Sequence, residues 1–190
     1  MPKVVDHGAR RRELAAAVSR VIARDGVTEV SIRTVAAESG WSSGALRHYF
    51  ATRAELLAFA CEEVVATVTQ RIEAIQPAGT VREAAEVLLR ETMPLDERRH
   101  LESSIAFAFL ALSLNDPELA RVQRLHFTAM AGFCLDLIKA LLPGATEQER
   151  AARRLHTVVD GLTVHILAGH LTPAEAAADL TAYLDDLMAP

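Results

Sequence analysis

The chain has 190 residues, 51% of them hydrophobic and 24% charged, with a net charge of −5; this balance excludes a disordered polypeptide and supplies enough apolar surface for one or two small domains. It contains no charge-free apolar run of about 18 residues or more and no basic-then-apolar leader, so neither a membrane span nor a secretory signal is expected and the expected location is the cytoplasm. The charge is uneven: residues 1–55 carry nine Lys/Arg against six Asp/Glu, whereas the other 135 carry 11 against 19, and a basic head on an acidic body suits a protein that docks one end on a phosphate backbone.

The first helix is expected to start at Asp6, to carry Arg10, Arg11 and Arg12, and to present Leu14, Val18, Val21 and Ile22 on one face. Ser31 opens the second, its hydroxyl placed to accept a hydrogen bond from the free amides of the first turn, with Ile32, Val35 and Ala36 as the buried stripe. Gly40 ends it, since glycine enters the left-handed region at little cost and turns the chain within a few residues. Ser42 then caps a third helix whose outward positions up to Tyr49 are small or polar (Ser42, Ser43, Gly44, Arg47, His48), while Leu46 and Phe50 anchor inward. Two short helices joined by a tight turn, with an exposed face free of bulk and with Arg33, Arg47 and Arg53 in or beside them, make a helix-turn-helix able to enter a major groove. A helical hairpin whose Ser, Gly and Arg merely solvate a surface is the plain alternative; the arginines around the motif favour DNA. The first helix completes a three-helix head over residues 1–51.

At these residues the chain resembles the tetracycline-repressor-like (TetR) family of one-component regulators, whose N-terminal segment carries a pattern close to Gly-x-Leu-Tyr-x-Tyr/His-Phe-x-x-Lys-x-x-Leu. Gly44, Leu46, Tyr49, Phe50, Arg53 and Leu56 match it, over about the first sixty residues. Arg47 stands where the family usually has tyrosine and Arg53 replaces the usual lysine. The resemblance implies that Arg53 meets phosphate; Arg47 can pair bidentately with guanine O6 and N7, so base preferences need not follow those of relatives. The DNA-contacting set is then Arg33, Ser42, Ser43, Gly44 and Arg47 for base edges or close groove contacts, and His48, Tyr49 and Arg53 for phosphate.

Downstream, capping boxes read at Thr52–Glu55, Thr80–Glu83, Thr146–Glu149 and Thr172–Glu175, Pro117 follows a capping Asp116, and a poorly marked helix starts near Leu95. With no alternating strand pattern, the expectation is an all-α chain of about nine helices: the head, then a helical-bundle body over 52–190 for ligand binding and dimerisation, entered by a long linking helix at 52–76 that can act as a lever. Residues 105–114, IAFAFLALSL, are apolar on every side and are expected to be buried all round at the centre of the body. The helix from Pro117 to Leu142 is expected to face them with Val122, His126, Met130, Phe133 and Leu137, adding Phe127 and Cys134. Such a lining reads as ordinary core or as a pocket for a small apolar or amphipathic ligand; the resemblance implies an inducer here, with Ser104, Phe107, Leu110, His126, Phe127, Met130 and Cys134 as contacts.

The last two helices form a hairpin bearing Leu155, Val158, Val159, Leu162 and Ile166, then Leu180, Tyr183, Leu184 and Leu187, with Gly161 and Gly169 allowing close approach. The hairpin either serves its own core or packs against that of a second copy. The resemblance implies a homodimer, with Leu155, Val159, Leu162, Ile166, Leu180, Tyr183, Leu184 and Leu187 at the interface.

Enzymatic signals are weak. Glu97 and His100 form a Glu-x-x-His element without the second copy that a di-metal bundle needs, and His156, His165 and His170 have poor spacings for sharing a metal. There is no glycine-rich phosphate loop, nucleophile elbow or Cys-x-x-Cys, and neither a catalytic group, a metal nor a cofactor is expected. Cys61 and Cys134 sit in apolar surroundings and read as buried structural thiols, a redox sensor being the alternative. The preference for Arg over Lys and the many alanines hint at a GC-rich bacterial genome. The expected function is a repressor that binds a palindromic operator as a dimer and is released by a small-molecule inducer. A ligand-independent regulator, an activator, or a helical interaction module that does not bind DNA are the alternatives.

Overall fold

The computed structural model describes residues 7–189. Among them are nine α-helices and no strand: α1 His7–Asp25, α2 Ile32–Ser39, α3 Ser43–Tyr49, α4 Arg53–Ala74, α5 Val81–Arg90, α6 Glu97–Ser113, α7 Pro117–Leu141, α8 Gln148–Leu167 and α9 Pro173–Leu187, with one 3-10 turn at Val27–Glu29. The all-α expectation is met. Asp6, expected to open the first helix, lies outside the described residues.

Helix starts follow the local chemistry of orphan amides. Thr80 and Glu83 cap each other's backbone, as do Thr172 and Glu175, with Pro173 in the first turn of α9. At α4 the Glu55 amide bonds the Thr52 hydroxyl, while the Glu55 carboxylate accepts from the Ala51 amide rather than from that of Thr52. Two expectations are corrected. Thr146 caps nothing: α8 begins at Gln148 after Glu147, which supplies no side-chain cap, and the Gln148 side-chain amide instead donates to the Leu142 carbonyl at 2.9 Å. The obscure start near Leu95 is an ordinary acidic cap one residue on, where Asp96 accepts from the Arg99 amide at 2.8 Å.

The chain divides into two compact units: residues up to Ala66 together with Ser104–Ala120, and Thr67–Ser103 together with residues from Arg121 onward. In the first, α1 packs on α2 and on the 3-10 turn, and α2 packs on α3. Leu14, Val18 and Val21 of α1, Val35 of α2, Leu46 of α3, and Leu56 and Leu57 of α4 are all buried. In the second, α9 packs on α5 and α8, and Leu89, Met93, Ile138, Leu155, Leu180 and Leu184 form the centre of one apolar cluster.

The second unit is also tied by charge. Arg71 near the end of α4 bonds Glu102 through both terminal nitrogens (2.8 and 2.9 Å) and Glu91 through Nε at 2.9 Å. Arg99 adds a second cation to Glu91 at 3.3 Å. Partial burial makes this network worth more than an exposed pair.

Residues 105–114 depart from expectation. Ile105, Phe109 and Ser113 are buried at four-residue spacing, but Ala111 is exposed and Leu114 is 76% exposed. A helix apolar on every side need not be buried on every side: Ala111 loses little by meeting water, and Leu114 lies one residue past the end of α6.

Candidate nucleic-acid interface

Helix α3 is held at both ends and by one buried side chain. Ahead of it, the Ser31 hydroxyl accepts from the Thr34 amide at 3.1 Å and the Thr34 hydroxyl from the Ser31 amide at 2.9 Å, while the Thr34 hydroxyl donates to the Glu29 carbonyl at 2.7 Å. This fixes the start of α2. Gly40 closes α2 at φ 73, a left-handed conformation that other residues reach only under strain. The Ser42 hydroxyl then accepts from the Ala45 amide at 3.1 Å, Leu46 is fully buried, and the Phe50 amide donates to the Leu46 carbonyl at 2.9 Å. The Phe50 ring lies 5.0 Å from that of Phe59 in α4. What α3 leaves exposed is Ser43, Gly44, Ala45, Arg47, His48 and Tyr49.

Small residues at the start of α3 and long polar ones after them let a helix approach base edges closely and still reach them. Ser43, Gly44, Arg47 and His48 of the expected set stand together on that exposed surface, and Ser42 stands beside them, its oxygen already engaged as a cap. Arg33 is exposed on α2.

Arg53 has a different environment. Its Nε donates to the Val30 carbonyl and its Nη2 to the Val27 carbonyl, both at 2.8 Å. The side chain is therefore a strut joining the start of α4 to the turn before α2. Sequence spacing carries no sign of this, because the acceptors are backbone carbonyls that any residue supplies.

The basic run of α1 is likewise divided. Arg11 reaches Glu63 at 3.2 Å and Glu62 at 3.5 Å and lies over the Phe59 ring at 4.7 Å, tying α1 to α4. Arg20 and Arg24 bind Glu38 at 2.6 and 2.7 Å, tying α1 to α2 and holding the Glu38 carboxyl below its usual range, chiefly through the Arg20 bond. Arg10 instead lies over the Trp41 ring at 5.4 Å, and Trp41 meets Tyr49 edge-on at 5.7 Å. Trp41 and Arg10 do not belong to the set expected from sequence. The available sign was a tryptophan in the three-residue turn over 40–42, where nothing in the turn itself calls for so large a ring.

The expected inducer contacts fall in both compact units. Ser104, Phe107 and Leu110, half-buried, belong to the first. In the second, Cys134 is fully buried in the apolar cluster with Met130 packed against it, His126 is half-buried, and Phe127 is exposed with its ring 5.8 Å from His156. Three polar groups outside the expected inducer contacts lie on α7 and α8. Gln123 is buried with its Oε1 unbonded, and His156 Nε2 lies 3.3 Å from Asp160, whose carboxyl burial pushes up. Burial also pushes the Cys61 and Cys134 thiols up to about 12, which leaves little thiolate for redox chemistry.

Of the expected interface residues, Leu155, Val159, Ile166, Leu180 and Leu184 are buried in the chain's own apolar cluster, while Leu162, Tyr183 and Leu187 are only partly so. The half-exposed stripe of α8 runs instead through Val158, Gly161 and Leu162 to the exposed His165. His165 and His170 have rings 4.9 Å apart despite their unpromising spacing, because α8 ends at Leu167 and the chain turns back through Gly169 at φ 69. Among the described residues no three metal-ligating side chains converge, and no helix is long and apolar enough to cross a membrane.

Two family models match this chain: that of the bacterial regulatory proteins of the tetR family over residues 14–59, and that of the BetI-type transcriptional repressor C-terminal domain over residues 81–189. The HTH-type transcriptional regulator PksA of Bacillus subtilis is 36% identical over 170 residues, covering 88% of this chain and 83% of its own. Among solved structures, a transcriptional regulator from Rhodococcus sp. RHA1 superposes with a TM-score of 0.83 at 27% identity, covering 94% of this chain and 95% of its own. A regulator from Saccharomonospora viridis in complex with choline shares the fold at a TM-score of 0.82 and 20% identity, covering 94% and 97%. By these matches the chain belongs to the TetR family, as a DNA-binding transcriptional regulator with a BetI-type C-terminal domain and not as an enzyme.

Proposed function

We propose that this regulator is a cytoplasmic repressor that occupies a palindromic operator as a homodimer and leaves it when a small amphipathic molecule binds the helical body. The observation that carries the DNA half is α3, fixed through Leu46, capped by Ser42, and exposing Ser43, Gly44, Arg47 and His48 together. Arg33, Ser42, Ser43, Gly44 and Arg47 serve base edges, and His48 and Tyr49 serve phosphate. Arg53 serves phosphate only with the donors its two carbonyl bonds leave over. A single head makes few contacts, whereas two around a twofold axis read a palindrome with operator-grade affinity. A division into an N-terminal head and a C-terminal body is supported by the two separate family matches, the first of which reaches residue 59, inside α4.

The ligand half is supported by two features. The α7 positions Gln123, Phe127 and Met130 combine apolar and polar groups, and a fold relative holds choline, a cation clothed in methyl groups. A ligand shifts occupancy only through different affinities for the two states, and moving the balance from 1:99 to 99:1 takes about 5.5 kcal/mol of difference.

The test is capture of fragments from the source genome by the purified chain. Enriched duplexes are then measured by fluorescence anisotropy across a salt series, with choline chloride as the first candidate for release. Enrichment of a palindrome that survives physiological salt supports the operator reading; binding without sequence preference overturns it. Release of the palindrome by choline supports the ligand half.

A further inference from the structure

Beside α3 lies a shallow depression of about 410 Å³ lined by Arg10, Trp41, Ala45, His48 and Tyr49. All five belong to the first compact unit, and Ala45, His48 and Tyr49 are on α3 itself. Its lining joins apolar surface, from the half-buried Trp41 and from Ala45, with three residues that carry polar groups, Arg10, His48 and Tyr49. Trp41 meets Tyr49 edge-on at 5.7 Å, Tyr49 meets His48 edge-on at 6.0 Å, and Arg10 sits over Trp41 at 5.4 Å. The Trp41 ring, met edge-on by Tyr49, gives the cation a face to lie on beside α3, which a lone flexible arginine lacks.

Apolar surface beside a cation and two hydrogen-bonding groups matches one repeating piece of duplex DNA, a deoxyribose with its phosphate. We propose that Arg10, Trp41 and Tyr49 form a backbone cradle beside α3 that seats one phosphodiester of the duplex, with Arg10 as its cation and Trp41 as the positioning residue that holds Arg10 and receives the sugar. The proposal rests on α3 being the DNA-reading helix and adds an interaction that carries no base information but fixes where α3 lies along the strand. It also distinguishes the arginines of α1. Arg11 is held by Glu62, Glu63 and the Phe59 ring, whereas Arg10 is turned toward α3.

The test compares wild type, Arg10→Ala, Trp41→Ala and Trp41→Phe as full-length chains, on the duplex captured from the source genome and on a scrambled duplex of equal length. Affinity is followed across a salt series and folding by urea unfolding. For Arg10→Ala the expected result is a several-fold weakening on both duplexes alike, with the salt slope shallower by about 0.9 for each phosphate no longer neutralised. Trp41→Phe keeps a ring under the guanidinium and retains most of the binding. Trp41→Ala matches Arg10→Ala, and the double variant is little worse than either single one. If Arg10→Ala leaves slope and affinity unchanged while wild type binds, the cradle is overturned and the reading helix stands. If wild type itself shows no salt-dependent binding, the DNA reading falls with it. Arg10 is only half-buried and is not part of the apolar core, so the outcome does not depend on whether Trp41→Ala folds.

Discussion

Two arginines of similar appearance in the sequence separate once their partners are known. Arg53 donates to two carbonyls in the turn before α2, both at 2.8 Å, so removing it strands acceptors that are partly shielded from water. Charged donors to such groups contribute about 1.5–3 kcal/mol each, not additively. Arg53→Ala should therefore lower the urea midpoint of the whole chain by an amount equivalent to roughly 2 kcal/mol, with DNA affinity falling because the head loosens. Arg53→Lys should recover part of the stability, since one ammonium reaches one carbonyl but cannot span two. Arg47 is exposed on α3. Arg47→Ala should leave the urea midpoint unmoved and change which bases the captured duplexes share, at about 1–3 kcal/mol for one bidentate pair. Unchanged stability in Arg53→Ala would return that side chain to the phosphate backbone; unchanged base preference in Arg47→Ala would remove Arg47 from base reading.

Most of the helix pattern was legible because each start is a local bond between a side-chain oxygen and an orphan amide within three residues. Thr80, Thr172, Ser31 and Ser42 each form the bond that their spacing suggests. Thr146 shows the limit of that logic. The same Thr-x-x-Glu spelling follows the Pro143–Gly144 turn, where Gly144 takes φ 86, and the chain enters α8 later than the box requires. Side-chain identity was right and backbone direction was not, and direction is set by tertiary packing. The candidate site divides in the same way. The exposed face of α3 was legible from helical spacing, whereas the struts at Arg11 and Arg53 join residues from separate elements and left no local sign, and the contacts of Trp41 were signalled only by so large a ring standing in a short turn.

The two boxes give a contrast that can be measured. Thr172→Ala should cost about 1 kcal/mol at neutral pH, the usual value of an N-cap, while Thr146→Ala should cost almost nothing. The Thr172 backbone amide, and then its hydroxyl, hold the Glu175 carboxyl below its usual range, so this cap stabilises α9 while Glu175 is ionised. Its contribution is complete above the ordinary carboxylate pKa and declines as pH falls below it. The stability gap between wild type and Glu175→Gln should accordingly be present at neutral pH and narrow as the pH falls below the ordinary carboxylate range. Equal gaps above and below that range would show that the carboxylate does not contribute through its charge.

The proposed homodimer asks the hairpin of α8 and α9 to face two ways. Leu155, Val159, Ile166, Leu180 and Leu184 hold the second unit together from within, so the proposal leaves for a partner copy what remains, above all the α8 stripe of Val158, Gly161, Leu162 and His165. Gly161 makes the proposal testable. A Cβ built there meets nothing within 4 Å in a single chain, and glycine in a helix interior is itself unfavourable by about 0.5–1 kcal/mol relative to alanine. Nothing in the isolated chain therefore requires a glycine at this position, whereas two α8 helices packed closely across a twofold axis would. Gly161→Arg should keep the helical content of wild type while sedimenting as a monomer, and its affinity for the captured palindrome should fall toward that of a single half-site. Gly161→Ala, which adds one methyl, should weaken the dimer less. A Gly161→Arg chain that still sediments as a dimer would move the interface off this stripe, and the glycine would then have to be explained by helix α8 alone.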